Sequence, residues 1–253
     1  MKIQVLVATM HQRDHSLLDR MNLQSDCIVG NQCDRNEVEE FEYNGHHVKW
    51  LSFNERGVGL NRNNALMRAD ADVCLFADDD MRYVDNYPSV VENAFKELPD
   101  ADVIVFNLIE ENSDRHRITK TQRVRWHNYL RYGTARVAFK FAPVKNNGIY
   151  FNQCFGGGTE HCHGEDNLFL TACLRNKLKI YAFPQNIATL TDERASTWNS
   201  GYDEKYLTDQ GTLYKAISRK YWRLLCLQDA LRHSSSYKMS WSRAYKLMIG
   251  KRK

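Results

Sequence analysis

The sequence predicts an α/β fold in which a mostly parallel central sheet is flanked by helices and continues into a basic helical extension. Three observations predict it. Short apolar, β-branched runs that end in polar residues recur along the chain. Stretches with apolar residues at helical spacing lie between them, and the charge turns strongly positive towards the C-terminal end.

Residues 3–8 are an apolar run that reads as a first buried strand ending at Thr9, and 16–22 follow as a short helix. Residues 27–30 form a second strand entering the polar turn NQCD, and 48–53 a third that ends at NERGVG. Strand, helix and strand with polar ends place a ligand face on one side of a parallel sheet. Leu60, Asn64, Met67 and Ala71 carry helical spacing through 59–69, and a helix starting near Gly59 can turn its N-terminus to an anion. Residues 73–76 are the next strand. Pro88 starts a helix over 88–98 that Pro99-Asp100 stops, and 103–109 is a strand. Residues 112–136 are basic and aromatic, with Arg115, Arg117, Lys120, Arg123, Arg125 and Arg131 around Trp126, Tyr129 and Tyr132, and they carry no clear period. Residues 138–141 and 149–151 read as strands flanking a turn at 145–148. After the flexible run Gly156, Gly157 and Gly158, the triplet Gly164-Glu165-Asp166 opens a helix over 167–176, and 180–183 is a last strand before Pro184.

With 253 residues, 43% apolar and 26% charged, the chain suits one large α/β domain plus an appendage. No uncharged apolar run approaches the length of a bilayer crossing, and Met1-Lys2 leads straight into IQVLVAT rather than a signal peptide, so the expected location is the cytoplasm. Seven cysteines without a CxxC pair point to free thiols rather than a disulfide framework or a zinc ribbon. His161-Cys162-His163 lacks the usual ligand gaps of a zinc site and reads as part of an ordinary loop.

The chemistry concentrates in VCLFADDDM at 73–81, where a strand apolar on both faces stops at Asp78, Asp79 and Asp80. Three crowded carboxylates repel one another unless water or a cation neutralises them. Hard divalent cations accept such oxygen ligands and leave room for phosphate oxygens. Ligands of open α/β sheets bind outside the carboxyl ends of strands, where this run falls. Its other reading is a solvated acidic turn, just as Glu165 and Asp166 could simply favour a helix start.

The run ERGVGLNRNNALMRADADVCLFADDDM resembles the nucleotide-binding half of GT-A fold, family 2 glycosyltransferases through Gly59, Leu60, Arg62, Asn63-Asn64, Asp72 and the Asp78-x-Asp80 motif. The run GGGTEHCHGEDNLFL is similar to the family's glycine-rich acceptor loop and Gly-Glu-Asp-x-x-Phe motif through Gly164, Glu165, Asp166 and Phe169. The resemblance covers roughly 3–211 and implies a Rossmann-like GT-A domain there. Within it, 1–110 would form the nucleotide-sugar half and 111–211 the acceptor half, with 212–253 as a basic amphipathic tail.

The resemblance also implies roles. Asp80 would bind a divalent metal, Mn²⁺ or Mg²⁺, bridging the donor diphosphate, and Asp78 would share it or lie against the ribose. Asp79 would also belong to the donor site. Asp166 would be the general base on the acceptor hydroxyl, oriented by Glu165, with Gly157, Gly158 and His163 on the acceptor side. Arg62 would face the base or the phosphates and Thr9 the nucleobase. Inverting transfer from a UDP-sugar is implied. The chain departs from the family where Asn31, or later Asp34, replaces the usual Asp after the second strand, and where TLTDERAST offers Asp192 instead of a His after the last strand.

Residues 214–253 hold eleven Lys and Arg against one acid, Asp229, a net +10 that leaves −6 for the rest of a chain whose total is +4. Cations alternate there with Trp222, Leu224, Leu231, Trp241 and Leu247 at spacings of two amphipathic helices split near 234–236. This suits an anionic bilayer surface and hence a lipid-linked or other glycan acceptor at the inner face of the cell membrane. Packing on the body or a homodimer contact are the other uses of such helices. No nucleic-acid motif accompanies the charge. A nucleotidyltransferase of related fold, or a membrane-attached sugar-nucleotide or glycan binding protein without activity, are the alternatives. The first would need a phosphate-cradling loop after the first strand, and Thr9-Met10-His11-Gln12-Arg13 is a poor one.

Overall fold

A computed structural model describes residues 1–110, 116–191 and 201–251; Arg115 and Asp192 lie outside them. The first half runs β1 (Ile3–Met10), α1 (Leu17–Arg20), β2 (Asp26–Gln32), β3 (Glu37–Tyr43), β4 (His46–Phe53), α2 (Val58–Arg68), β5 (Val73–Asp78), β6 (Met81–Tyr83), α3 (Tyr87–Glu97) and β7 (Val103–Ile109). The second half runs β8 (Gln122–Val124), two 3₁₀ turns at Tyr129–Arg131 and Thr134–Arg136, β9 (Val137–Lys140), α4 (Phe141–Asn146), α5 (Glu165–Arg175), β10 (Ile180–Leu190), α6 (Glu204–Ile217), α7 (Trp222–His233) and α8 (Trp241–Met248).

Among the described residues the strands form one sheet in the order β3-β4-β2-β1-β5-β9-β7-β10-β6, with β8 also on β10. Its β4-β2-β1-β5 section and the β7–β10 pair are parallel, while β3, β9, β6 and β8 pair antiparallel. Alternate residues of the central strands enter two separate cores. Val5, Val7, Val29, Leu75 and Ala77 pack with Leu17 and Leu18 of α1 and with Tyr87, Val91 and Phe95 of α3. Leu6, Ile28, Cys74 and Phe76 pack with Ala65 and Leu66 of α2 and with Phe169, Leu170 and Cys173 of α5. The result is a helix–sheet–helix sandwich whose strands are apolar on both faces.

The structure corrects the sequence reading at several places. Residues 149–151 form no strand, because the side-chain amide of Asn63 takes both backbone groups of Phe151: the Phe151 N–H donates to Oδ1 at 2.8 Å and Nδ2 donates to the carbonyl at 2.9 Å. The expected turn at 145–148 is present, closed by the Gly148 N–H donating to the Lys145 carbonyl at 3.0 Å, and it overlaps the last residues of α4. The last strand does not stop before Pro184; β10 continues to Leu190 because shifts in its pairing with β7 between Ala182 and Asn186 accommodate the proline. β3, hidden by its four glutamates, is an edge strand alternating between solvent and sheet.

Among the described residues the C-terminal segment holds three helices, and α6 crosses the expected boundary at 211/212. Asp203 caps it by accepting from the Tyr206 N–H at 2.7 Å. The apolar faces of α6, α7 and α8 share a third core with Phe155 and the half-buried Leu168, so the cluster packs on the body. Gly211 lets α6 and α8 cross backbone to backbone: a Cβ there would stand 1.8 Å from the Met248 carbonyl oxygen. No helix of the described residues is long and apolar enough to cross a membrane.

Candidate active site

The parallel strands β1, β2 and β5 end on one side of the sheet, and α2 starts there. Ala8 of β1 is in register with Asp78, the last residue of β5, so Thr9 and the acidic turn are neighbours. The Thr9 hydroxyl donates to Asp79 at 2.6 Å, and the Gln12 side-chain amide donates to Thr9 Oγ1 at 2.9 Å and to Asp79 at 3.4 Å. Thr191 donates to the Asp80 backbone carbonyl through its N–H at 2.8 Å and its hydroxyl at 2.9 Å, pinning the turn from the far strand. Asn31 is fully buried and its amide is spent on protein: Oδ1 accepts from the Gln12 N–H, and Nδ2 donates to the Gln12 carbonyl and to Ser52. It holds the loop that presents Gln12 and offers no free amide to a ligand.

Arg62 joins this end of the site to the other. Its Nη2 donates to Asp78 at 2.7 Å, and its Nη1 to Asp166 at 2.9 Å and to Glu165 at 3.4 Å. The guanidinium is buried and lies 5.2 Å from the centre of the Phe151 ring. Burial alone would push its pKa down; the three carboxylates more than offset that and raise it, so Arg62 is a fixed cation.

Glu165 and Asp166 occupy the first turn of α5, where the helix end favours negative charge. Asp166 accepts from the Thr134 N–H at 3.1 Å and from the Thr134 hydroxyl as well as from Arg62. Glu165 lies against Gly156, which has φ +100° and no room for a side chain, since a Cβ there would sit 2.7 Å from the Glu165 carboxyl carbon. Its pKa is raised to about 7, by burial first and by the adjacent Asp166 second. Both acids line a cavity of about 380 Å³ with Gly157, His163, Tyr132 and Gly133. Gly158 does not line it. His163 stacks on Tyr206 at 4.3 Å and pairs through Nε2 with Gln210 Oε1 at 2.7 Å; burial lowers its pKa.

The donor set at the acidic turn is hard carboxylate oxygen, which fits Mg²⁺ or Mn²⁺. Among the described residues no three His, Cys, Asp or Glu side chains converge to hold an ion, so an ion at this turn would need phosphate or water oxygens to complete its shell. The sequence reading missed Gln12 and Thr134, one after the first strand and one in the aperiodic segment, where no motif points to them.

The family model described as glycosyl transferase family 2 matches residues 11–153. The chain belongs to glycosyl transferase family 2. That match contains Arg62 and the acidic turn and stops before Glu165. The fold is the GT-A fold, and solved structures share it over the whole chain. S. aureus TarS 1-349 in complex with UDP-GlcNAc superposes with a TM-score of 0.66 at 14% identity, over 100% of this chain and 92% of that one. The same protein in complex with UDP gives 0.64 at 15% identity, over 100% and 91%. TarS itself gives 0.65 at 14% identity, over 99% of this chain and 55% of that longer one. No curated protein matches the chain.

The site generates a pH prediction. A carboxyl that keeps its proton to about 7 in the fold but releases it near 4.5 when free favours the folded state fully below about 4.5, and that contribution is lost as pH rises through about 7. Glu165→Gln, which cannot ionise, should match the parent in urea unfolding near pH 4.5 and exceed it at pH 8 by on the order of 2–4 kcal/mol. A difference that does not change with pH contradicts the assignment.

Proposed function

We propose that this family 2 enzyme is an inverting glycosyltransferase that moves a sugar from a nucleotide donor, a UDP-sugar, to a hydroxyl of a glycan or lipid-linked saccharide. The observation that carries the reading is the single guanidinium of Arg62 bridging Asp78 at the donor end to Asp166 and Glu165 at the acceptor end. One cleft thus holds the groups needed at both sides of the reacting carbon. TarS structures holding UDP-GlcNAc and UDP support a uridine nucleotide as the donor type.

In the proposed reaction Asp166 accepts the proton of the acceptor hydroxyl while that oxygen attacks the anomeric carbon from the face opposite the diphosphate. The bond from the anomeric carbon to the phosphate oxygen breaks, and the nucleoside diphosphate leaves with the electron pair. Thr134 and Arg62 fix the Asp166 carboxylate. Glu165, protonated below about 7, can donate a hydrogen bond to the acceptor and orient it. Asp80 and Asp78 would hold a divalent ion with the diphosphate, where it supplies Lewis-acid stabilisation of the leaving group. Thr9 and Asp79 form the donor wall. A second reading, in which Glu165 is the base, is favoured by its raised pKa.

Asp166→Asn should keep UDP-sugar binding by calorimetry and lower transfer or donor hydrolysis by at least about a hundredfold, whereas Asp80→Ala should lose the Mn²⁺-dependent part of donor binding. Normal turnover in Asp166→Asn with a dead Glu165→Gln would move the base to Glu165.

The membrane reading rests on an exposed face. Leu224 and Leu231 stand out to solvent along α7, with Tyr221 just before it and Trp241 at the start of α8, and Arg219, Lys220 and Arg223 are exposed and near Tyr221 and Leu224 in sequence. We place this face against anionic lipid on the inner side of the cell membrane. Flotation with phosphatidylglycerol vesicles should carry the protein and lose it for Leu224→Glu/Leu231→Glu; equal flotation of parent and variant, or none for the parent, contradicts this placement.

A further inference from the structure

The cavity holding Glu165 and Asp166 does not end with them. Leu130, Arg131, Asn167 and Tyr206 line it and also line a second cavity of about 710 Å³, between the 126–131 segment and helices α6 and α7. The two chambers form one cleft, and the second has the size of a small-molecule site, which spans roughly 300–1,000 Å³.

Its walls are rings. On the helical side Tyr206, already stacked on His163, meets Tyr202 edge-on at 5.0 Å, and Tyr202 meets Tyr237 at 5.1 Å, so aromatic faces continue outward from the acceptor loop. On the other side Trp126 stands edge-on to Tyr129 at 5.7 Å. Trp126 is 53% exposed and Tyr202 45% exposed, so both present ring surface to the cavity rather than to the core. Polar groups sit between the rings. The Arg131 guanidinium makes no hydrogen bond to a described residue and lies where the chambers join. Asp229 is committed to the hydroxyls of Tyr214 at 2.8 Å and Tyr237 at 2.7 Å and adds little free charge.

A lipid chain would call for an apolar tube. Rings interleaved with guanidinium and amide groups suit a sugar instead, whose C–H faces stack on aromatics while its hydroxyls take hydrogen bonds. We propose that the second chamber is an extended acceptor subsite that binds the sugar units of an oligosaccharide lying beyond the one that reacts. Trp126 and Tyr202 are its platforms and Arg131 a hydroxyl ligand at the junction. The proposal rests on the glycosyltransferase reading for which chamber holds the reacting unit, and it gives α6 and α7 a substrate-binding role.

The test applies the full chain and the variants Trp126→Ala, Tyr202→Ala and Trp126→Phe to a glycan array carrying mono- to tetrasaccharides, with acceptor-free hydrolysis of a panel of UDP-sugars measured beside it. The expected result is stronger binding of glycans with two or more units than of their monosaccharides. Each alanine variant should lower that signal at least tenfold, Trp126→Phe should keep it, and donor hydrolysis should not change. Binding of monosaccharides alone, of no glycan, or of the same glycans equally by the alanine variants overturns the proposal. Length-dependent array binding by a chain that hydrolyses no UDP-sugar would support the subsite while counting against the transferase reading.

Discussion

One buried cation meeting three carboxylates is the interaction the site depends on. Arg62 has to reach Asp78 on β5 and the Glu165-Asp166 pair on α5 at once, so α2 cannot shift relative to either. Its neighbours lock it. Asn61 donates to the Gly30 carbonyl at 2.8 Å on the sheet side, and Asn63 holds Phe151 by two hydrogen bonds on the other. The buried polar run Asn61-Arg62-Asn63 therefore fastens a helix to a strand and to a loop while delivering the charge between them. The charges do not balance. One guanidinium faces three acids, and Glu165, raised by burial first and by the adjacent Asp166 second, is the acid that keeps its proton.

The two halves of the fold meet through the same place. Phe76, just before the acidic turn, touches Phe139, Phe151 and Phe169, with ring centres 4.7, 4.9 and 5.2 Å away. β5, β9 and α5 are thus packed together beneath the carboxylates, and rings exclude water from the underside of Arg62. A low-dielectric floor strengthens each charge interaction above it and makes an unpaired charge expensive.

Much of this was legible in the sequence. Apolar runs located β1, β2, β4, β5 and β7, since strands buried on both faces need only apolar residues and polar ends. The acidic strand end and the Gly-Glu-Asp helix start were visible as chemistry, and their meeting was expected from resemblance alone. What stayed hidden has physical causes. A strand replaced by a side-chain amide, as at Phe151, leaves the same apolar residues in the sequence. Thr134 acts through a backbone N–H, which every residue but proline has, and through a hydroxyl in a segment whose aperiodic sequence does not place it. The charge jump near 214 marked a change of surface and falls inside α6, which begins at Glu204 and buries its first residue at Leu207. The amphipathic spacing of the basic helices left open whether their apolar faces met lipid or the body, because spacing does not name a partner, and Phe155 and Leu168 are the partners they find.

The central claim is that Arg62 is the cation that holds Asp78, Glu165 and Asp166 side by side in one buried site. The most direct measurement is urea unfolding of Arg62→Gln against the parent from pH 5 to pH 8. Arg62 is what opposes the raised pKa of Glu165, so without the guanidinium that carboxyl must rise further and the variant's stability should fall with rising pH more steeply than the parent's. The deficit is predicted to be about 3–5 kcal/mol at pH 8 and to shrink towards pH 5, where Glu165 carries its proton in parent and variant alike. A deficit of the same size at every pH would mean that Arg62 only fills space, and would contradict the account.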